Sequence, residues 1–200
     1  MELPKNHYHV FENFIDADYA NMLADYFKAN EQEDPREFYG FFPFGGYSDF
    51  FENPDFKLDF DPLNKISEMI HFSYNFFLEN YPTYGEFKLN RSHANLMHKG
   101  AFLSAHKDDR DNEDIAIEDL GSKTHVAGLF LNDDYEGGEL YLKDLDINLK
   151  PKAGTLVLFP GYYTKHGVNE VTSGTRVNTL SHFFDVTDES KVNERYKIDV

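Results

Sequence analysis

The second half of the chain is cut by turn residues into segments too short and too β-rich for helices. That punctuation constrains the fold more than any other feature. From Glu86 onward the expected strands are 87–97, 101–106, 125–131, 139–142, 155–159, 165–169 and 175–184. Between them stand Lys99-Gly100, Asn132-Asp133-Asp134, Gly137-Gly138, Lys152-Ala153-Gly154 and Ser173-Gly174, whose residues favour reversals of direction. The charged stretch KDDRDNEDIAIEDLGSK at 107–123 interrupts the series and is expected to be a mobile loop.

The first half reads differently. A short strand at 8–11 precedes a helix capped by Asp16, with Tyr19, Met22, Leu23, Tyr26 and Phe27 at helical spacing. The acidic run before Pro35 ends it. Residues 35–60 are dense in Phe and Tyr but broken by Gly40, Pro43, Gly45, Gly46 and Pro54, which suits loops and short strands. Such a segment either folds over the core or serves as a binding surface. A second helix starts at Asp61 and Pro62, carries Leu63, Ile66, Ile70 and Phe77 on one face, and ends near Tyr81-Pro82. Two helices followed by many short strands make the fold class α+β, a sandwich or barrel backed by helices.

A length of 200 residues suits a single domain over 1–200, with helical support to about residue 85 and the β-core over about 86–185. The 20 Phe and 13 Tyr provide ample surface to bury despite the lack of Trp. A net charge of -17 disfavours nucleic acid as a partner, because binding phosphate backbones relies on Lys and Arg displacing counterions. With no cysteine, the chain cannot form disulfides, zinc-thiolate sites, iron–sulfur clusters or a thiol nucleophile. The opening MELPKNHYHVFENF lacks a basic stretch followed by an apolar one, and no run approaches the ~18 apolar residues of a membrane span. A cytoplasmic protein without membrane segments is the expectation.

Chemistry concentrates around His106 and Asp108. Side chains two apart in an extended chain share a side, so this His-Lys-Asp can offer an imidazole and a carboxylate to one ion. A third ligand must come from another strand, and His166 follows the apolar run LVLFPG. Arg176 lies ten residues later, across a turn, and adjacent antiparallel strands would bring it to the same cavity. Its planar fork grips a carboxylate at two points, which a lysine does less well. A metal with open positions and an arginine deeper in the pocket suit a 2-oxoacid with a distal carboxylate.

Together, HKD at 106–108, FLNDDYEGGELYL at 130–142, PKAGTLVLFPG at 151–161, His166 and Arg176 resemble the 2-oxoglutarate/Fe(II) dioxygenase superfamily, closest to its prolyl 4-hydroxylase-like branch. The resemblance covers roughly 90–185. It implies a double-stranded β-helix, or jelly roll, with N-terminal supporting helices. It also implies Fe(II) on His106, Asp108 and His166, 2-oxoglutarate paired through its C5 carboxylate to Arg176, O2 as the oxidant and ascorbate as a reductant. The Asp108 carboxylate favours hydroxylation over halogenation, since the superfamily's halogenases lack it. Two positions depart from the hydroxylase pattern: Met97 and Leu103 stand where tyrosines are usual. Asn95, eleven residues before His106, sits where related demethylases turn an asparagine toward the co-substrate.

Blander readings compete. Asp109 and Asp111 read as solvated loop charges, Arg176 as a candidate for a structural ion pair, and His125 and His182 as packing residues, with a place facing the cavity as the alternative. His93 and His98 read as exposed, and Tyr162 and Tyr163 as candidates for the pocket entrance. The expected substrate is a peptidyl proline, with a free amino acid or other small metabolite as the alternative. A non-catalytic metal-binding β-barrel is the rival of a different class, and it would have no use for Arg176.

Overall fold

A computed structural model describes residues 8–31, 39–41, 64–81, 86–108 and 122–186. Strand β1 (His9–Phe11) leads into helix α1 (Ala17–Ala29), whose first turn is capped by the Asp16 carboxylate accepting from the N–H groups of Asp18 and Tyr19. Strand β2 (Tyr39–Phe41) and helix α2 (Asn64–Asn80) follow. The remainder is β3 (Glu86–His98), β4 (Leu103–His106), β5 (Ser122–Phe130), β6 (Glu136–Gly137), β7 (Leu140–Leu142), β8 (Ile147–Leu149), β9 (Leu156–Phe159), β10 (His166–Val168), β11 (Val171–Ser173) and β12 (Thr175–Val186).

The strands form a double-stranded β-helix. Its larger sheet has the order β1-β9-β5-β12-β3-β2, and its smaller sheet the order β4-β10-β7-β8. Strand β12 is the spine of the larger sheet, pairing with β3 on one edge and β5 on the other. Alternation then sorts the side chains. Val177, Phe183, Ala127, Leu129, Ala94 and Leu96 face the helices, where Ala20, Leu23 and Phe27 of α1 and Ile66, Met69, Ile70 and Phe77 of α2 complete the main core. The intervening positions of the same strands turn inward, toward the smaller sheet and the cavity between the sheets.

Several sequence expectations shift. Met22 is 43% exposed and lies off the buried face of α1, which is carried by Ala20, Leu23, Ala24 and Phe27. Strands β6, β8 and β11 were too short to register as periodic segments. Arg176 and His166 do not occupy adjacent strands: β10 pairs only with β4 and β7 among the described residues, so the two residues meet across the sandwich. Asp61, Pro62 and Leu63, most of 35–60, and the 109–121 part of the charged stretch lie outside the described residues. No described helix is long and apolar enough to cross a membrane.

Candidate metal and co-substrate site

His106 is the last residue of β4, and its Cα partner across the ladder is His166 of β10. Antiparallel pairing therefore brings the two imidazoles together, with ring centroids 4.6 Å apart. Asp108 does not extend the strand as the sequence reading expected. It lies in a turn beyond β4, where its N–H donates to the Gly161 carbonyl at 3.2 Å. Its Oδ1 stands 3.3 Å from His106 Nε2 and 3.5 Å from His166 Nε2. The three donor atoms lie within 4.8 Å of one another.

Both imidazoles are oriented by backbone. His106 Nδ1–H donates to the Ser104 carbonyl and His166 Nδ1–H to the Thr164 carbonyl, each at 2.9 Å. A carbonyl can only accept, so Nδ1 carries a hydrogen in both rings, and in the neutral form the Nε2 lone pairs converge beside Asp108. Second contacts of this kind fix the tautomer a metal needs. Burial pushes the pKa of His166 down, keeping it neutral. Burial alone would raise the Asp108 carboxyl, but His166, the contact with His106 and the charge of His182 outweigh it and hold the group well below the ordinary carboxylate range. Asp108 Oδ2 is buried and has no hydrogen-bond partner. A divalent cation satisfies all of these features: two imidazole nitrogens, an ionised carboxylate and an orphaned oxygen.

Gly161 makes this arrangement possible. A Cβ there would lie 2.0 Å from Asp108 Oδ2 and 2.8 Å from Val126. The carboxylate occupies the space where a side chain would otherwise be.

The cavity between the sheets has a volume of about 420 Å³. All five residues singled out from the sequence, His106, Asp108, His166, Arg176 and Asn95, line it. Arg176 is 3% exposed. One of its terminal nitrogens donates to Asn178 Oδ1 at 2.5 Å and contacts Met97 Sδ at 3.6 Å, while the guanidinium lies 4.9 Å over the Phe130 ring. The Tyr135 hydroxyl lies beside the guanidinium and favours its charged form. No carboxylate pairs with Arg176 among the described residues, and its Nε is buried without a partner. The structural ion-pair reading is therefore not realised there, and the fork is left for an anionic ligand.

Other sequence readings divide. His182 and His93 line the cavity, with His93 buried rather than exposed. His125 instead packs among Phe77, Tyr81, Phe87 and Tyr162 in the helix-side core. His98 pairs with Glu31 at 2.7 Å. Tyr162 is buried and Tyr163 exposed, and neither lines the cavity. Asn178 and Gly161 escaped the sequence reading. Asn178 was legible, because alternation from Arg176 puts Asn178, Leu180 and His182 on one face. Gly161 had no such signal, since its role depends on a turn meeting β4.

A jelly roll that holds two histidines and a carboxylate around one point defines the class of mononuclear non-haem oxygenases. Residues 92–184 match the model of the 2OG-Fe(II) oxygenase superfamily. Human prolyl 3-hydroxylase 2 is 38% identical over 60 residues, which cover 27% of this chain and 8% of that protein. The match thus spans under a tenth of its curated relative. In fold, the chain is similar to the viral collagen prolyl hydroxylase of Paramecium bursaria Chlorella virus-1 in its 2-oxoglutarate complex. That likeness has a TM-score of 0.66 at 16% identity over 91% of this chain and 97% of that one. It is also similar to a Trichoplax adhaerens prolyl hydroxylase solved with a hypoxia-inducible-factor peptide, with a TM-score of 0.62 at 13% identity over 94% and 86% of the two chains.

Proposed function

We propose that the chain is a 2-oxoglutarate-, Fe(II)- and O2-dependent dioxygenase of the superfamily it matches, and that it hydroxylates a prolyl residue within a peptide. His106, Asp108 and His166 hold the Fe(II), and Arg176 receives the distal carboxylate of 2-oxoglutarate. The observation that carries the site assignment is the convergence of two backbone-oriented Nε2 lone pairs on the Asp108 carboxylate, inside a cavity that also holds a buried arginine fork.

The chain's own groups divide the work. Ser104 and Thr164 lock the imidazoles, and Gly161 leaves room for Asp108. Asn178 and the Phe130 ring hold the guanidinium still, so a carboxylate meets donors already in position. Asn95 is the Cα partner of Asn178 and offers an amide from the neighbouring strand, which supports its role as a further co-substrate contact. Val126, Phe130, Leu140, Val157 and Phe159 provide an apolar lining that keeps water out. Bound Fe(II), with 2-oxoglutarate and O2, supplies the chemistry that puts one oxygen atom into a substrate C–H and leaves succinate and CO2.

Proline as the substrate rests on the named prolyl hydroxylases. They include a 3-hydroxylase, so the reading specifies the residue and not the ring carbon. Met97 and Leu103, which replace the usual tyrosines, both line the cavity, and Met97 touches Arg176 through sulfur. The test is succinate release by protein supplied with Fe(II), ascorbate and 2-oxoglutarate, with and without prolyl peptides, free amino acids and methylated oligonucleotides. Peptide-stimulated release with a matching mass gain on proline is expected. Stimulation only by free amino acids would replace the peptide reading with that of a small-molecule hydroxylase.

A further inference from the structure

The smaller sheet carries a groove of about 590 Å³ on its outer face. Its floor is built around Gly167. A Cβ there would lie 2.5 Å from both the Leu103 carbonyl oxygen and the Tyr141 hydroxyl. Glycine therefore lets the Tyr141 side chain cross β10 and donate to that carbonyl at 3.3 Å. Phe102, which is 61% exposed, forms a shoulder beside β4, an edge strand of the sheet. Lys143 and Lys165 stand together at one end, because the Lys143 N–H donates to the Lys165 carbonyl at 2.7 Å. Glu170 lines the other end, past Val168.

The two lysines are not neutralised by their surroundings. Asp144, next to Lys143, accepts from the Lys165 N–H at 3.0 Å and pairs with the Lys107 ammonium at 3.9 Å. Among the described residues, no ion pair engages the ammonium of Lys143 or Lys165. In a chain of net charge -17, this is a local excess of positive charge. Such a groove accepts carboxylates, while the acidity around it disfavours them elsewhere.

The groove also adjoins the metal cavity. Leu103, Ser104 and Val168 line both. A chain lying in the groove can therefore pass the β4 edge and place a residue in the cavity. The path from the lysines crosses about two strand spacings and one sheet thickness, ~20 Å in all or about six extended residues.

We propose that this groove is an exosite for the peptide substrate, where Lys143 and Lys165 pair with Asp or Glu side chains about six residues from the oxidised one. This rests on the proposed function, and it adds acidity at a distance to what the protein selects. Each solvent-exposed pair contributes modestly, so two together should improve affinity about three- to tenfold.

Fluorescence anisotropy on protein loaded with Mn(II) and 2-oxoglutarate measures peptide binding without turnover. Three labelled peptides carry Pro-Pro-Gly repeats, a six-residue Gly/Ser spacer and a tail of three Glu, three Gln or three Lys. The Glu tail is expected to bind about three- to tenfold more tightly than the Gln tail. The double variant Lys143→Gln/Lys165→Gln should lose that difference and keep its Mn(II) Kd within about twofold. Lys143→Glu/Lys165→Glu should turn the preference toward the Lys tail, which loss of a merely structural role would not do. With Fe(II), KM for hydroxylation should follow the order of binding. Equal binding of the Glu and Gln tails, tightest binding of the Lys tail by the wild type, or a preference that the Gln variant retains would overturn the inference. Hydroxylation of all three peptides with equal KM would also overturn it, and would leave the prolyl reading standing. A Glu-tail preference lost in the Gln variant, with no peptide hydroxylated, would overturn the prolyl reading and leave the groove as a site for acidic peptides.

Discussion

At the scale of single residues, the site depends on contacts that leave no slack. Gly161 is the clearest case, because the Asp108 carboxylate lies where its Cβ would be. Gly161→Ala should displace the carboxylate and weaken Mn(II) binding by roughly 10- to 100-fold, the range seen when support for a metal ligand is lost. A titration followed by electron paramagnetic resonance checks this, and an unchanged affinity would mean that Asp108 is not a ligand. The ionisable groups make a second prediction. A proton competes with metal for His166 only as pH falls through its folded pKa, which burial holds below the ordinary 6.5. Asp108 is held below the ordinary carboxylate range and stays ionised throughout. Mn(II) affinity at His166 should therefore persist down to the ordinary histidine value and fall only below it. The metal-free protein should lose stability over the same acidic interval, because the unfolded chain takes up the His166 proton first.

At the scale of elements, the helices locate the site by gripping the larger sheet from behind. One attachment runs through the turn before β9, where the Ile15 N–H donates to the Gly154 carbonyl at 3.2 Å. Gly154 has a φ of +83°, and a Cβ there would stand 2.2 Å from the Ile15 carbonyl oxygen. Gly154→Ala should cost on the order of 2 kcal/mol or more and lower Tm by about 4–8 °C. Calorimetry should show that loss without a matching change in Mn(II) affinity, since the turn lies on the helix side of the sheet. The expected strands from 87 to 184 were legible because alternation and turn residues coincide there. The short strands β6, β8 and β11 were not, because two alternations do not make a period. Asp108 was assigned to a strand for a related reason: the spacing of two residues is the same whether the chain continues straight or turns.

At the scale of the molecule, two sheets close on a cavity whose functional groups come from β3, β4, β10 and β12 and from the turn after β4. A metal that binds these groups binds only the folded chain, so it should stabilise the whole protein. Mn(II) or Fe(II) at about 100 times its Kd should add about 2.7 kcal/mol and raise Tm by roughly 5–10 °C. His106→Ala should abolish most of that shift and the 2-oxoglutarate-dependent turnover. A full shift in the variant would show the metal binding elsewhere.

By itself, the sequence determined which residues could do the chemistry. His106, Asp108, His166 and Arg176 are types and spacings with few other uses in combination. It could not determine how the groups meet. The expectation that Arg176 reaches His166 by strand adjacency was wrong in route, because alternation reports which face a residue takes and not which sheet lies opposite. Gly161 beneath Asp108 and the stack of His93 on His182 are contacts between segments distant in the chain. Such contacts depend on how two twisted sheets close on one another, and only the tertiary structure decides that.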